Sequence, residues 1–225
     1  MSIFKLAAGI IFNVAIFAGC LFLPATTLNW LRAWVFLGVV FVCAVASTVN
    51  LYRVNKDLFE ERFKPPVQKG QPLADKIVVV VLIAAFVGSI IFIPLDVFRF
   101  HLLAKPGTLV SFSGLILFVA GWWIMTLALK ENAFAAPAVK HQRQQRAIDS
   151  GVYSVVRHPM YAGAVPFFVG MPLWLESYAV AMLASVPIAT LVARIVVEEQ
   201  FLRRELLGYD AYTERVRYRL IPFLW

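Results

Sequence analysis

Apolar residues along this chain arrive in long blocks separated by short charged stretches. Six blocks stand out: Leu6–Pro24, Trp30–Leu51, Lys76–Leu95, Leu109–Lys130, Tyr161–Leu175 and Ala179–Phe201. A helix needs about 20 mainly apolar residues to cross the hydrocarbon of a bilayer. The first four blocks meet that length. The fifth is short and carries Pro166, Gly170 and Pro172, so it reads as kinked, tilted or incomplete. The sixth contains Pro187 and runs into Arg194, Glu198 and Glu199. Only Glu176, Ser177 and Tyr178 join the last two blocks, which predicts a tight helical hairpin. The pattern predicts an all-α integral membrane protein with five to six transmembrane helices.

Composition agrees. The chain is 61% hydrophobic and 15% charged, whereas a soluble domain is nearer half apolar and a quarter charged. Cys20 and Cys43 both sit inside apolar blocks with no Cys or His at ligand spacing, so no metal site is expected. The Met1–Leu23 stretch is too long for a signal-peptide core and has no clear cleavage site after it; it reads as the first membrane helix.

The net charge of +8 changes the picture through its placement. Arg53, Lys56, Arg62, Lys64, Lys69 and Lys76 follow the second block; Lys130, Lys140, Arg143, Arg146 and Arg157 follow the fourth; Arg203, Arg204, Arg215, Arg217 and Arg219 follow the sixth. The intervening connections hold Arg32, Arg99 and Lys105. Basic connections stay cytoplasmic. Six crossings with both termini cytoplasmic satisfy this alternation, placing the protein in the inner or plasma membrane if the host is bacterial. The cations are then partners of anionic headgroups, not of nucleic acid.

Three clusters carry candidate chemistry. In the first, Gly151 to Gly163, an Arg, a His and two Tyr stand at the mouth of the fifth block. Pro159 biases His158 away from helical geometry and suits the first turn of the next helix. The N–H groups of that turn would suit an anion; the plain alternative is an interfacial helix start with aromatic and cationic anchors. In the second cluster, Arg194 and Glu198 lie four apart on one helical face, followed by Glu199. These are either an i,i+4 ion pair at the interface or a cation and a carboxylate facing a shared cavity. The third, Gly208 to Pro222, is a basic, tyrosine-rich tail. The chain has no Gly-x-Gly-x-x-Gly, no Walker-type phosphate loop, no His-Glu-x-x-His and no Gly-x-Ser-x-Gly, which disfavours soluble-type nucleotide enzymes.

Taken in order, Gly-Val-Tyr with Arg-His-Pro-x-Tyr-x-Gly (151–163), Arg-x-x-x-Glu-Glu-x-x-Leu (194–202) and Gly-Tyr-x-x-Tyr with a basic tail ending in Ile-Pro (208–222) resemble the isoprenylcysteine carboxyl methyltransferase family. More broadly they resemble phospholipid methyltransferase-like membrane enzymes. The stretch Asn55 to Phe63 also resembles bacterial members, with Lys56 where those carry proline. The resemblance implies S-adenosylmethionine held between membrane helices and a cytosolic tail. It implies that Gln145, Arg146, Ala147, Ile148, Tyr153, His158, Pro159, Met160 and Tyr161 line the cofactor pocket, closed by Glu198, with Arg194 facing the methyl acceptor. His141 is a further candidate. Catalytic roles would fall to Arg194, Glu198 and Glu199. The eukaryotic enzymes carry His-Thr-Leu-Val where this chain has Gln145 to Ile148, so contacts there are expected through backbone.

The implied organisation is a four-helix membrane region over residues 1–130 and a cofactor-binding, catalytic region over 131–225, its site on the cytoplasmic face. The implied activity is methyl transfer to a lipidic or lipidated acceptor: O-methylation of a prenylated carboxylate, or N-methylation of a phospholipid amine. Two other readings stay open, an NADPH-dependent sterol C14-type membrane reductase and a non-catalytic transporter or assembly protein.

Overall fold

The computed structural model describes residues 3–54, 65–68, 70–132 and 147–225. The α-helices among these residues are α1 (Ile3–Ala25), α2 (Leu31–Val54), α3 (Leu73–Leu95), α4 (Thr108–Glu131), α5 (Pro159–Trp174), α6 (Tyr178–Leu183), α7 (Ser185–Glu205) and α8 (Tyr209–Arg215). A π-turn, Asp96–Phe100, extends α3, and a 3-10 turn, Gly151–Ser154, precedes α5. No strand occurs among the described residues. Helices satisfy every backbone N–H and C=O within one segment, as a chain in hydrocarbon requires.

Among the described residues, five helical stretches are long and apolar enough to cross a membrane: Phe4–Ala25, Leu31–Val54, Leu73–Phe100, Thr108–Glu131 and Tyr178–Glu205. The protein is an integral membrane protein. Helix α5 has 16 residues, about 24 Å at 1.5 Å per residue, short of a hydrocarbon core of about 30 Å. Its start follows the expectation: Pro159 stands in the first turn and His158 is off-helix, with φ −123° and ψ 61°. The sixth block is split at Ala184 into α6 and α7. Pro187 lies two residues into α7, where its missing N–H costs no helical hydrogen bond.

The three-residue link between α5 and α6 is present, and Ser177 caps α6 by accepting from the Val180 N–H at 3.0 Å. The closest helix packing lies elsewhere, between α4 and α5. A Cβ at Gly163 would stand 2.7 Å from the Gly121 carbonyl oxygen, and one at Gly114 2.8 Å from that of Gly170. Glycines seven apart on both helices let the backbones touch, the usual solution where lipid removes any hydrophobic drive to associate. Around this seam Phe36, Phe118, Phe167, Met171, Trp174 and Leu175 form the main core. Phe12, Leu23, Ile77 and Ile116 face outward, as lipid-facing residues do.

One end of the bundle is closed by a polar latch. Arg32 pairs with Glu176 at 3.0 Å, donates to the Trp174 carbonyl at 3.1 Å and lies over the Trp174 ring; Lys105 stands 3.7 Å from Glu176. Buried Asp96 accepts from the Ser177 hydroxyl at 2.6 Å and from the Leu102 N–H at 2.9 Å. The other end of α5 carries the candidate site.

Candidate functional site

The site is built on the turn that opens α5. Ahead of it, Gly151 has φ +54°, and a Cβ there would stand 2.7 Å from a Glu131 carboxylate oxygen. The positive φ is what calls for glycine, since the exposed Glu131 side chain can move aside. The turn buries Tyr153, whose carbonyl accepts from the Tyr212 hydroxyl at 2.9 Å and whose own hydroxyl accepts from Asn132 at 3.3 Å. The Arg157 and His158 N–H groups donate to the Tyr218 and Arg219 carbonyls at 2.8 and 2.9 Å. The basic tail is thereby laced along the turn.

Three side chains meet on Glu199, which is buried in α7. His158 Nε2 and an Arg157 guanidinium nitrogen lie 3.2 and 3.3 Å from Oε1, and Arg219 Nε donates to Oε2 at 3.1 Å. A buried carboxylate persists only with such compensation. Arg157 Nε is buried and has no hydrogen-bond partner among the described residues.

One residue earlier, half-buried Glu198 accepts from the Tyr161 hydroxyl at 2.6 Å. The His158 ring stacks on Tyr161 with centroids 5.6 Å apart and planes at 7°. The Arg194 guanidinium lies 5.8 Å from the Tyr161 centroid. Arg194 Nε donates to Asp75 at 3.2 Å, and the second Asp75 oxygen accepts from Gln71. The helical spacing of Arg194 and Glu198 allowed a pair within α7; instead the structure turns Arg194 to Asp75 and Glu198 to Tyr161.

The turn 157–161 and the turn 194–199 therefore converge as one cluster. Met160 packs with Tyr161, Leu191, Ile195 and Leu220, and Pro159 is buried. Ala147 packs against Tyr209, Tyr212 and Val216 beneath the tail; Ile148 is half-buried. Gln145, Arg146, His141 and the stretch 55–63 lie outside the described residues. Burial, reinforced for Tyr209 by the Glu199 and Glu198 charges and for Tyr212 by Tyr153, pushes both tail phenols well up. They remain hydrogen-bond donors at neutral pH.

The structure adds Asp75, Gln71, Arg157, Arg219 and Tyr212, which the motifs did not single out as site residues. A carboxylate at the very edge of an apolar block, as Asp75 is, was the available signal. Beside the cluster, α3 and α7 flank an open, mainly apolar groove of about 620 Å³, lined by Ile77, Val78, Val81, Val186, Ala189 and Ala193 together with the hydroxyl residues Ser185 and Thr190. Asp75, two residues before Ile77, and Arg194, next to Ala193, make the ion pair.

Comparison with curated proteins gives no match. Residues 109–206 match the family model described as phospholipid methyltransferase. The match runs from α4 to the end of α7, so it holds both turns of the cluster; Gln71, Asp75 and the tail fall outside it. The resemblance carried by the motifs is borne out to this extent: over the stretch that supplies both walls of the site, the chain is similar to phospholipid methyltransferases.

Proposed function

We propose that the protein transfers a methyl group from S-adenosylmethionine to a lipidic or lipidated acceptor. The observation that carries this is the meeting of Tyr161, His158 and Arg194 with the half-buried Glu198 in a single cluster. The donor set suits that cofactor. Glu198 offers a carboxylate to a cationic group. The Tyr161 and His158 rings offer faces to adenine or to a sulfonium. Arg157 Nε, buried without a described partner, offers a donor to a carboxylate. When bound, the cofactor supplies an electrophilic methyl group on a sulfonium sulfur.

The chain's own part is alignment and exclusion of water, which displacement at a methyl carbon chiefly needs. An acceptor carboxylate would be held by Arg194 and would attack without losing a proton. An acceptor amine would pass its proton to Glu198. Glu199 is less suited to that role, because both its oxygens already face Arg157, His158 and Arg219. The apolar groove between α3 and α7 supports a lipidic acceptor, since a hydrocarbon chain laid there would end at Asp75 and Arg194. The charge pattern supports a cytoplasmic site and cytoplasmic termini.

Calorimetry on detergent-purified protein tests the reading. S-adenosylmethionine and its demethylated product should bind, NADPH should not, and Glu198→Ala should weaken binding at least tenfold. Binding of NADPH alone would favour the reductase. Absence of all binding would leave only a membrane scaffold.

A further inference from the structure

In α7, Arg194 and Glu198 have the spacing at which a helix forms an internal ion pair by default. Both nevertheless bond elsewhere, Arg194 to Asp75 and Glu198 to Tyr161. Asp75 is completely buried, 119 residues away in the chain, and is itself held by Gln71. It lies outside the family-matched stretch, at the start of α3.

We infer that Asp75 is a positioning residue: by holding Arg194 over the Tyr161 ring it keeps the guanidinium off Glu198 and leaves that carboxylate available to a cationic ligand. The physical reason is competition. A buried guanidinium must be compensated, and among the described residues Asp75 and Glu198 are the carboxylates that act on Arg194. A charge on Asp75 satisfies Arg194 from the α3 side. Without it, the nearest anion one helical turn along is Glu198, and Tyr161 loses its acceptor. The consequence for cofactor binding rests on the proposed function; the competition between carboxylates does not.

Two measurements on the full chain in detergent separate these levels. The first is a thermal-denaturation double-mutant cycle, Arg194→Gln against Glu198→Gln, run in the native and Asp75→Asn backgrounds. Coupling between 194 and 198 should be small in the first and clearly larger in the second. Equal coupling in both overturns the inference, whether or not any cofactor binds. The second is S-adenosylmethionine affinity. Asp75→Asn should lower it about tenfold, Asp75→Glu should retain most of it, and Asp75→Asn with Arg194→Gln should return it to within about threefold of native. A merely structural role for Asp75 predicts no recovery in the double variant, and that result also overturns the inference. If Asp75→Asn does not fold, Gln71→Ala replaces it in both measurements. It should shift coupling and affinity in the same directions by about two- to threefold, and no shift counts against the inference. If native protein binds no S-adenosylmethionine, the proposed function fails and the thermal cycle alone decides the positioning role.

Discussion

The two ends of α5 carry polar clusters of similar size and different construction. At the far end, Asp96 and Glu176 are met by Ser177, Leu102, Arg32 and Lys105; Glu176, Ser177, Leu102 and Lys105 lie on connecting segments, while Asp96 ends α3 and Arg32 starts α2. That cluster closes on itself and ties the connections together. At the near end, Glu198, Glu199, Arg194 and Tyr161 stand on helices, His158 caps the start of α5, and the group is packed from α3 and the tail. There Glu198 stays half-buried and Arg157 Nε has no described partner. One end is built to clamp, the other to hold rigid groups around something else. The same chemical parts serve both, and their placement on connections or on helices makes the difference.

The largest effect should come from Glu199→Ala. It strips the compensating charge from Arg157, His158 and Arg219, which should cost about 3–5 kcal/mol of stability in denaturant titrations and abolish cofactor binding. Asp96→Ala should be next. It leaves the Ser177 hydroxyl and Leu102 N–H unpaired at a cost of about 2–3 kcal/mol, yet folded protein should keep native affinity for S-adenosylmethionine. Loss of affinity there would break the division between clamp and site. Tyr161→Phe should be milder in stability, about 1.5 kcal/mol, while reducing cofactor affinity several-fold, the reverse ranking to Asp96→Ala.

The smallest effect concerns pH. Tyr212 and Tyr209 titrate well above their usual value of 10.0 because of burial. The unfolded chain therefore releases their protons first. Their contribution to stability is complete below pH about 10 and declines as pH rises beyond it. Tyr212→Phe should flatten the alkaline limb of a stability–pH curve and lower the neutral plateau by about 1 kcal/mol, for the hydrogen bond lost to the Tyr153 carbonyl.

Much of this is visible in the sequence. The apolar blocks became helices at nearly their expected limits, and Pro159 opened α5 with His158 outside the helix. The seam between α4 and α5 was written in Gly114, Gly121, Gly163 and Gly170 but not legible. Glycine spacing marks a contact face without naming the partner face. Likewise the short link after α5 predicted a hairpin with the next helix, whereas the closest backbone approach is to α4.

What the sequence by itself determined is the local part: membrane helices, their starts and breaks, and which residues share a turn. Hydrocarbon forces hydrogen bonds to close within a few residues, so local pattern is sufficient there. Only the tertiary structure decided which charges pair. Arg194 has Glu198 four residues away and Asp75 119 residues away. The choice of Asp75 follows from α3 lying along α7, a packing outcome that no spacing in the chain encodes.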